Sequence, residues 1–111
     1  MKNTREKGLA AEERGCEFLR KEGLRILDRN VYNRFGEIDI IAMQGETLRF
    51  IEVKSAQSYD QAVYNLSPVK LQKLVRTIQA YLQHKKLTLD YCIDALIVTP
   101  EGVEWIENIT L

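Results

Sequence analysis

The sequence contains few of the residues that define several common classes of protein. Its 111 residues include two cysteines, two prolines, one tryptophan and one histidine. Cys16 and Cys92 lie far apart and form neither a CxxC pair nor the spacing of a zinc site, which disfavours a disulfide framework and a cysteine-ligated metal. We interpret both as small buried apolar residues. His84 stands beside Lys85 at a predicted helix end, where a cation suits the helix dipole, so we do not expect it to be a catalytic base.

The chain also lacks long apolar runs and an excess of charge of either sign. No stretch approaches the roughly 18 consecutive apolar residues of a membrane span, and no apolar core of a secretory signal follows the first residues. We therefore predict a cytoplasmic protein without a membrane partner. Lys plus Arg and Asp plus Glu number 16 each. Because many nucleic-acid-binding proteins are basic overall, any contact with a polyanion here would need positive charge gathered on one face.

The length and composition suit one domain that covers residues 1–111. Apolar residues make up 45% of the chain, which is enough for one hydrophobic core. The apolar periodicity predicts two helices at 4–22 and 68–86, a loop at 55–66, and strands at 24–31, 36–43, 48–54, 91–99 and 103–109. Gly23 suits the end of the first helix, and Ser67-Pro68 suits the start of the second. This order, α-β-β-β-α-β(-β), predicts an α/β fold with a mixed sheet flanked by helices.

Three charged residues interrupt apolar strands in the middle of the sequence. The string Gly-Glu-Ile-Asp ends at Asp39, and the string Glu-Val-Lys runs from Glu52 to Lys54. Burying unpaired charge costs several kcal/mol, so charges at such positions indicate a use. The short turn between the two strands predicts an antiparallel hairpin, and side chains alternate between the faces of a strand. We therefore expect these three side chains on one face.

Two carboxylates and an ammonium on one face suit a hard divalent cation. Mg²⁺ takes one or two carboxylates and keeps several waters, so Asp39 and Glu52 could hold Mg²⁺ or Mn²⁺. Lys54 could then orient or deprotonate a water, or stabilise charge on a phosphate. The alternative is a salt bridge across the hairpin, in which Lys54 pairs with Asp39 or Glu52 on a solvated face. Residue types alone leave both open.

Two further acidic residues are candidates for the same site. Glu12 occupies a position on a helical stripe where an apolar residue is expected, between Leu9 and Cys16. Its alternative role is an ion pair with a neighbouring arginine. Glu37 shares the predicted face of Asp39 and could be an additional ligand, or it could pair with Arg34 or Arg49.

Other residues are candidates for contact with nucleic acid. Lys70 lies in the first turn of the second helix, where a cation opposes the helix dipole, so it is either a phosphate contact or a solvated lysine. Tyr59 and Tyr64, in the predicted loop, could stack on bases or pack within the loop. For Asp94, in an apolar strand, we expect a structural hydrogen bond.

The order of these elements and motifs resembles the PD-(D/E)xK nuclease superfamily, whose α-β-β-β-α-β core carries an Asp and a Glu-x-Lys on its central hairpin. Asp39 matches the motif Asp, and Glu52 to Lys54 match the Glu-x-Lys. More narrowly, the chain is similar to the YraN-like family of predicted bacterial endonucleases, which resembles archaeal Holliday junction resolvases. The matching stretches are residues 8–12, 18–19, 23, 26–27, 30, 36–41, 50–54, 70, 81–82 and 94.

The resemblance implies a restriction-endonuclease-like core and a divalent-metal-dependent endonuclease that hydrolyses phosphodiester bonds of DNA, including branched or single-stranded DNA. Asp39 and Glu52 would hold Mg²⁺ or Mn²⁺, Glu12 would join the metal site from the first helix, and Lys54 would assist the attacking water. A symmetric junction would suit a homodimer. The alternatives are a weak or inactive nuclease-fold module that binds DNA and needs a partner, and a structural protein that dimerises through an apolar face.

The chain departs from the family pattern at positions that usually carry positive charge. Ala56 stands where the family often has an arginine, and Tyr32 and Phe35 stand where it often has basic residues. Arg34 remains as a candidate DNA contact. Because phosphate contacts depend on Lys and Arg, the sequence supports a metal site more strongly than a DNA-binding surface.

Overall fold

The computed structural model describes residues 4–109 of the chain. Residues 1–3 and 110–111, which the predicted 1–111 domain includes, lie outside this range. The elements are, in chain order, α1 (Thr4–Lys21), β1 (Arg25–Asn33), β2 (Gly36–Gln44), β3 (Thr47–Ser55), α2 (Tyr59–Tyr64), α3 (Pro68–Lys85), β4 (Tyr91–Thr99) and β5 (Gly102–Ile106).

The five strands form one mixed sheet in the order β1-β2-β3-β4-β5. Tight turns connect β1, β2 and β3, so these strands run antiparallel. β3 and β4 run parallel, and a parallel pair needs a long crossover, which α2 and α3 supply. β5 returns antiparallel to β4. The predicted mixed α/β fold with a helix-flanked sheet is confirmed.

Apolar side chains pack on both faces of the sheet. Ile40 and Ile41 are adjacent on β2 and therefore point to opposite faces. Ile40 packs with Cys16 and Leu19 of α1, whereas Ile41 packs with Leu74 and Ile78 of α3. The sheet is thus sandwiched between α1 and α3.

The ends of the two long helices follow the predicted local signals. Gly23 adopts φ +92°, and the N–H groups of Gly23 and Leu24 donate to the carbonyls of Arg20 and Leu19 at the end of α1. Ser67 caps α3 by accepting a hydrogen bond from the Lys70 N–H. The apolar stripe on α1 is shorter than predicted, because the side chain of Leu9 is 44% exposed.

The predicted loop at 55–66 is wrong, because Tyr59–Tyr64 form the short helix α2. Ser58 caps it by accepting a hydrogen bond from the Gln61 N–H at 3.3 Å. Ala62 is fully buried against Ala95 and Ile97. One buried residue in a helix of six cannot establish a 3.6-residue period, so the pattern was invisible in the sequence.

The last strand is shorter than predicted. β5 ends at Ile106 rather than at residue 109, because the N–H groups of Asn108 and Ile109 donate to the Asp94 carboxylate and the Ile93 carbonyl, both at 2.8 Å.

Between residues 4 and 109, no helix is long and apolar enough to span a bilayer.

Candidate functional site

β2 and β3 separate partway along their length, and the predicted carboxylates lie at the separation. Pairing between the two strands ends at Ile40 and Ile51. Beyond this point β2 continues along β1 to Gly36, while β3 continues along β4 to Ser55. The next facing positions on the two strands are Asp39 and Glu52. The structure therefore brings these two residues together at the mouth of a split hairpin.

The side chain of Asp39 takes the place of the missing ladder hydrogen bond. Its Oδ2 accepts a hydrogen bond from the Val53 N–H at 2.8 Å, which satisfies a backbone donor on the open edge of β3. Burial, together with the nearby charge of Glu52, raises the pKa of Asp39 from 3.8 to about 8. Two partly buried carboxylates at close range resist ionising together.

Glu52 and Lys54 form an ion pair within β3. The Lys54 Nζ lies 3.2 Å from Glu52 Oε1, and these side chains are only 25% and 20% exposed. Burial raises the pKa of Glu52, and the ammonium of Lys54 partly offsets the rise. This is one of the two pairs named for the alternative salt bridge, but it lies along β3 and not across the hairpin. Among residues 4–109, no ion pair involves Asp39.

Glu12 approaches the carboxylate pair from α1 and has an unsatisfied oxygen. Its Oε1 is buried without a hydrogen-bond partner in the described part of the chain. Burial raises the pKa of Glu12, the side chain of Asn30 lowers it, and the charges of Glu37 and Glu52 raise it further. The neighbouring Arg29 does not provide the ion pair predicted as the alternative, because it pairs with Glu13 at 2.7 Å.

Asn30 occupies the β1 position across from Asp39, between the pairs Arg29–Ile40 and Val31–Ile38. It adopts φ +53°, a left-handed conformation that asparagine tolerates better than most residues. Sequence reasoning missed a role for Asn30 at the site, because the position is defined by contact with α1 and not by local pattern.

Glu37 lies at the rim of the site and is exposed. Neither of its predicted arginine partners pairs with it. Arg49 pairs with Asp94 and Glu107, and the Arg34 guanidinium lies over the Phe35 ring at 4.7 Å.

A groove of about 230 Å³ opens in front of the carboxylates, between the hairpin and the first half of α3. Glu37, Asp39, Glu52 and Lys54 line one side. Lys70, Lys73 and Thr77 line the other side, from one face of α3. Of these, sequence analysis singled out only Lys70. The 3 and 4 spacing of the three residues shows that they share a helix face, but not that this face meets the hairpin. We call this the carboxylate groove.

The tyrosines and the arginine that the sequence offers as DNA contacts lie outside the carboxylate groove. Arg34 lines a different and larger groove on the far side of the β1–β2 turn. Tyr59 lines a third groove beside Thr99 and β5, and Tyr64 is 88% exposed on α2. Neither tyrosine is among the residues that line the carboxylate groove.

Asp94 has the structural role that the sequence predicted. It is fully buried and accepts hydrogen bonds from Arg49, from Trp105 Nε1 at 3.1 Å and from the Asn108 N–H at 2.8 Å. With each oxygen satisfied, this carboxylate holds the β5 end of the sheet and has no connection with the groove.

The donor set at the split hairpin fits a hard divalent cation. Within residues 4–109, no three His, Cys, Asp or Glu side chains converge closely enough to hold a metal on their own. The two facing carboxylates match the one or two that Mg²⁺ takes when it keeps several waters. Positive charge at this position would give the unsatisfied oxygen of Glu12 a partner and would favour the ionised form of Asp39, whose pKa burial raises. The two facing ligands are carboxylate oxygens, not the thiolate and imidazole groups of structural zinc sites.

Comparison with known proteins identifies relatives along nearly the whole chain. The model of the uncharacterised protein family UPF0102 matches residues 11–98. A UPF0102 protein of Wolinella succinogenes is 50% identical over 108 residues, which cover 97% of this chain and 99% of the relative. One of Sulfurimonas denitrificans is 51% identical over 108 residues, with the same coverage. One of Helicobacter hepaticus is 50% identical over 109 residues, 98% of each chain. The chain therefore belongs to family UPF0102, the YraN-like family that its motifs resemble.

Proposed function

We propose that this protein is a divalent-metal-dependent endonuclease of the PD-(D/E)xK superfamily that hydrolyses phosphodiester bonds of DNA. The observation that carries the proposal is the facing pair of Asp39 and Glu52 at the split of the β2–β3 hairpin, with Lys54 held 3.2 Å from Glu52. A split hairpin supplies two carboxylates and an ammonium at the end of a rigid sheet, with a groove in front of them. Sites on rigid elements hold reacting groups precisely enough for catalysis.

Asp39 and Glu52 are the residues that would hold Mg²⁺ or Mn²⁺, and Glu12, whose buried Oε1 has no hydrogen-bond partner among the described residues, is a further candidate ligand. When bound, the cation would polarise the phosphate and lower the pKa of a water. Burial is the main cause of the raised pKa of Asp39 and the charge of Glu52 adds to it, so positive charge beside these carboxylates would lower that pKa.

The side chains of the site have separable tasks in this proposal. Lys54 is held by Glu52 and would donate a hydrogen bond to the attacking water or to a phosphate oxygen. Attack by the water forms one P–O bond and breaks the P–O bond to the sugar oxygen, which leaves on the opposite side. The water loses a proton to solvent, and the leaving oxygen takes up a proton from solvent. Lys70 and Lys73 face the carboxylates across the groove and would neutralise the phosphates that flank the scissile one. The Val53 N–H fixes the orientation of Asp39.

The test is cleavage of labelled branched, single-stranded and linear duplex DNA in the presence of Mg²⁺ or Mn²⁺. We expect Asp39→Asn and Lys54→Met to lower cleavage by about a thousandfold, the effect of losing one strong transition-state contact. Glu46→Gln is the matched control, because Glu46 is exposed at the opposite end of the same hairpin. It should cleave like the wild type.

Two outcomes would overturn the proposal. One is a folded wild-type protein that cleaves none of these substrates with either metal. The other is an Asp39→Asn variant that cleaves as fast as the wild type. Binding of DNA without cleavage by the wild type would favour the alternative of a non-catalytic module that needs a partner.

A further inference from the structure

The positive charge of this neutral chain is concentrated in one segment. The whole chain has 16 basic and 16 acidic residues, yet residues 61–89 contain no Asp or Glu. This segment includes all of α3. Because it contains five basic residues and no acidic ones, it carries a charge of +5, while the rest of the chain carries −5. Its basic residues are Lys70, Lys73, Arg76, Lys85 and Lys86. Charge segregated in this way creates a local field that the net charge conceals.

A second groove, of about 1000 Å³, lies along the later half of α3. We call it the α3 groove. Arg76, His84 and Lys85 line it from the helix, and Tyr32 and Arg34 line it from the end of β1 and the turn that follows. Asp28 is the one acidic residue among the described residues that line it. The ring of Tyr32 is free to contact a ligand, since this side chain is 79% exposed.

The two grooves are neighbours along α3, divided by the β1–β2 turn. Asn33 anchors this turn, because its Nδ2 donates to the Thr77 carbonyl at 3.2 Å and its Oδ1 accepts from the Phe35 N–H at 2.9 Å. Gly36 ends the turn and lines the carboxylate groove. Lys73 Cε stands 3.5 Å from where a Cβ on Gly36 would lie. The basic residues of α3 therefore extend past the turn, from one groove into the next.

The cations of α3 lie in two groups: Lys70, Lys73 and Arg76 in its first half, and Lys85 in its last turn. Fifteen residues separate Lys70 at the carboxylate groove from Lys85 in the α3 groove, which corresponds to about 22 Å of helix. Proteins that bind single strands combine a basic groove that follows the backbone with exposed aromatic rings on which bases stack. The α3 groove has both features, and a paired, stacked duplex offers no free base face to Tyr32.

We propose that the α3 groove binds a single-stranded segment of the DNA whose phosphodiester bond lies in the carboxylate groove. This inference rests on the proposed function for the identity of the ligand, and it narrows the substrate class to DNA with an unpaired strand next to the scissile bond. Arg76 and Lys85 contact its phosphates, and Tyr32 stacks on one of its bases.

Fluorescence anisotropy with a labelled 20-mer of thymidine, in EDTA at low salt, tests the phosphate contacts. Arg76→Ala/Lys85→Ala should bind at least tenfold more weakly than the wild type. Its log–log salt slope should be smaller by about 1.4, the value for two lost single-strand phosphate contacts. Lys21→Ala/Arg25→Ala removes the same charge from exposed residues outside the basic segment and should stay within twofold of the wild type. Failure of the wild type to bind, or equal weakening by both double variants, overturns the inference.

Variants at Tyr32 test whether the DNA bound in the α3 groove is single-stranded. Tyr32→Ala should weaken binding by about fivefold or more, while Tyr32→Phe keeps the ring and should bind like the wild type. A duplex of the same length should bind more weakly than the single strand. Equal binding of the duplex together with no effect of Tyr32→Ala overturns the single-strand assignment. Unchanged melting temperatures confirm that the variants are folded.

The two proposals can fail separately, because the binding measurements contain no metal. Tight binding of the single strand without cleavage of any substrate contradicts the endonuclease proposal alone. Cleavage by a wild type that does not bind the single strand contradicts the α3-groove proposal alone.

Discussion

At the scale of the residue, two opposing effects act on the protonation of the Asp39 carboxylate. The Val53 N–H at 2.8 Å favours the ionised form, while burial and the charge of Glu52 favour the protonated form. The net result is a pKa raised to about 8. Metal-free protein at neutral pH therefore carries an electrostatic cost at this position, and a cation would relieve it.

The cost at Asp39 predicts how stability depends on pH. Because the folded-state pKa, about 8, lies above the unfolded value, the folded chain binds more protons than the unfolded chain between these pH values. The stabilising contribution of the protonated group is complete below about pH 4 and is lost as the pH rises towards 8. Asp39→Asn keeps an acceptor for the Val53 N–H and removes the charge. In EDTA at pH 7.5 we expect this variant to melt about 5 °C higher than the wild type.

Melting temperatures of the variant and the wild type, measured from pH 4 to 8.5, test this prediction. The gap between variant and wild type should shrink towards pH 4. Glu46→Gln, at the exposed end of the hairpin, should follow the wild-type curve. A variant that melts lower than the wild type at pH 7.5 would mean that the Asp39 carboxylate is not under electrostatic strain.

The residues of the site differ in how well the sequence identifies them. Asp39, Glu52 and Lys54 were identifiable because charge inside an apolar strand is unusual, and Glu12 because it breaks an apolar stripe. Lys73 was not identifiable, because an exposed lysine on a helix is ordinary until a neighbouring element faces it.

At the scale of the element, the sequence predicts what short-range contacts control. The bounds of α1 and α3 follow from Gly23, Ser67 and Pro68, whose effects act within one turn of helix. The split of the β2–β3 hairpin could not be predicted in this way. It depends on contacts far apart in the chain, because beyond Ile40 and Ile51 β2 stays paired with β1, and β3 stays paired with β4, about forty residues later.

The β1–β2 turn must approach α3 closely, and Gly36 permits this approach. A Cβ at this position would lie 2.9 Å from Thr77 Oγ1, and the glycine adopts φ +156°. Gly36→Ala should therefore lower the free energy of unfolding by about 2 kcal/mol, through the collision and the backbone strain together. Chemical denaturation measures this change.

Two further variants separate the collision from the strain. Gly102→Ala introduces a Cβ at φ +147°, close to the φ of Gly36, with no atom within 4 Å, so it should show the strain alone and cost less. Adding Thr77→Ala to Gly36→Ala removes the atom that collides and should recover part of the loss. If Gly36→Ala is as stable as the wild type, the turn does not pack against α3 as described.

At the scale of the whole molecule, net charge is a poor guide to what this chain can bind. Because acidic and basic residues are equal in number, contact with a polyanion required positive charge gathered on one face. The fold places the segment 61–89, which contains no Asp or Glu, along one side of both grooves. Arg76 and Lys85 of α3 line the same groove as Tyr32 and Phe35, two positions where the family often has basic residues.

Membership of family UPF0102 extends this account to close relatives. Sequences about 50% identical over almost the whole chain are expected to share the split hairpin and the two grooves. The central claim for this protein is that the facing carboxylates of Asp39 and Glu52 form a site for a divalent cation.

Anomalous diffraction from crystals soaked with Mn²⁺ tests this claim most directly. We predict one strong peak between Asp39 and Glu52, with a carboxylate oxygen of each at about 2.0–2.6 Å, and no peak there in crystals of Asp39→Asn. A wild-type crystal that binds Mn²⁺ only elsewhere, or not at all at saturating concentration, would contradict the account.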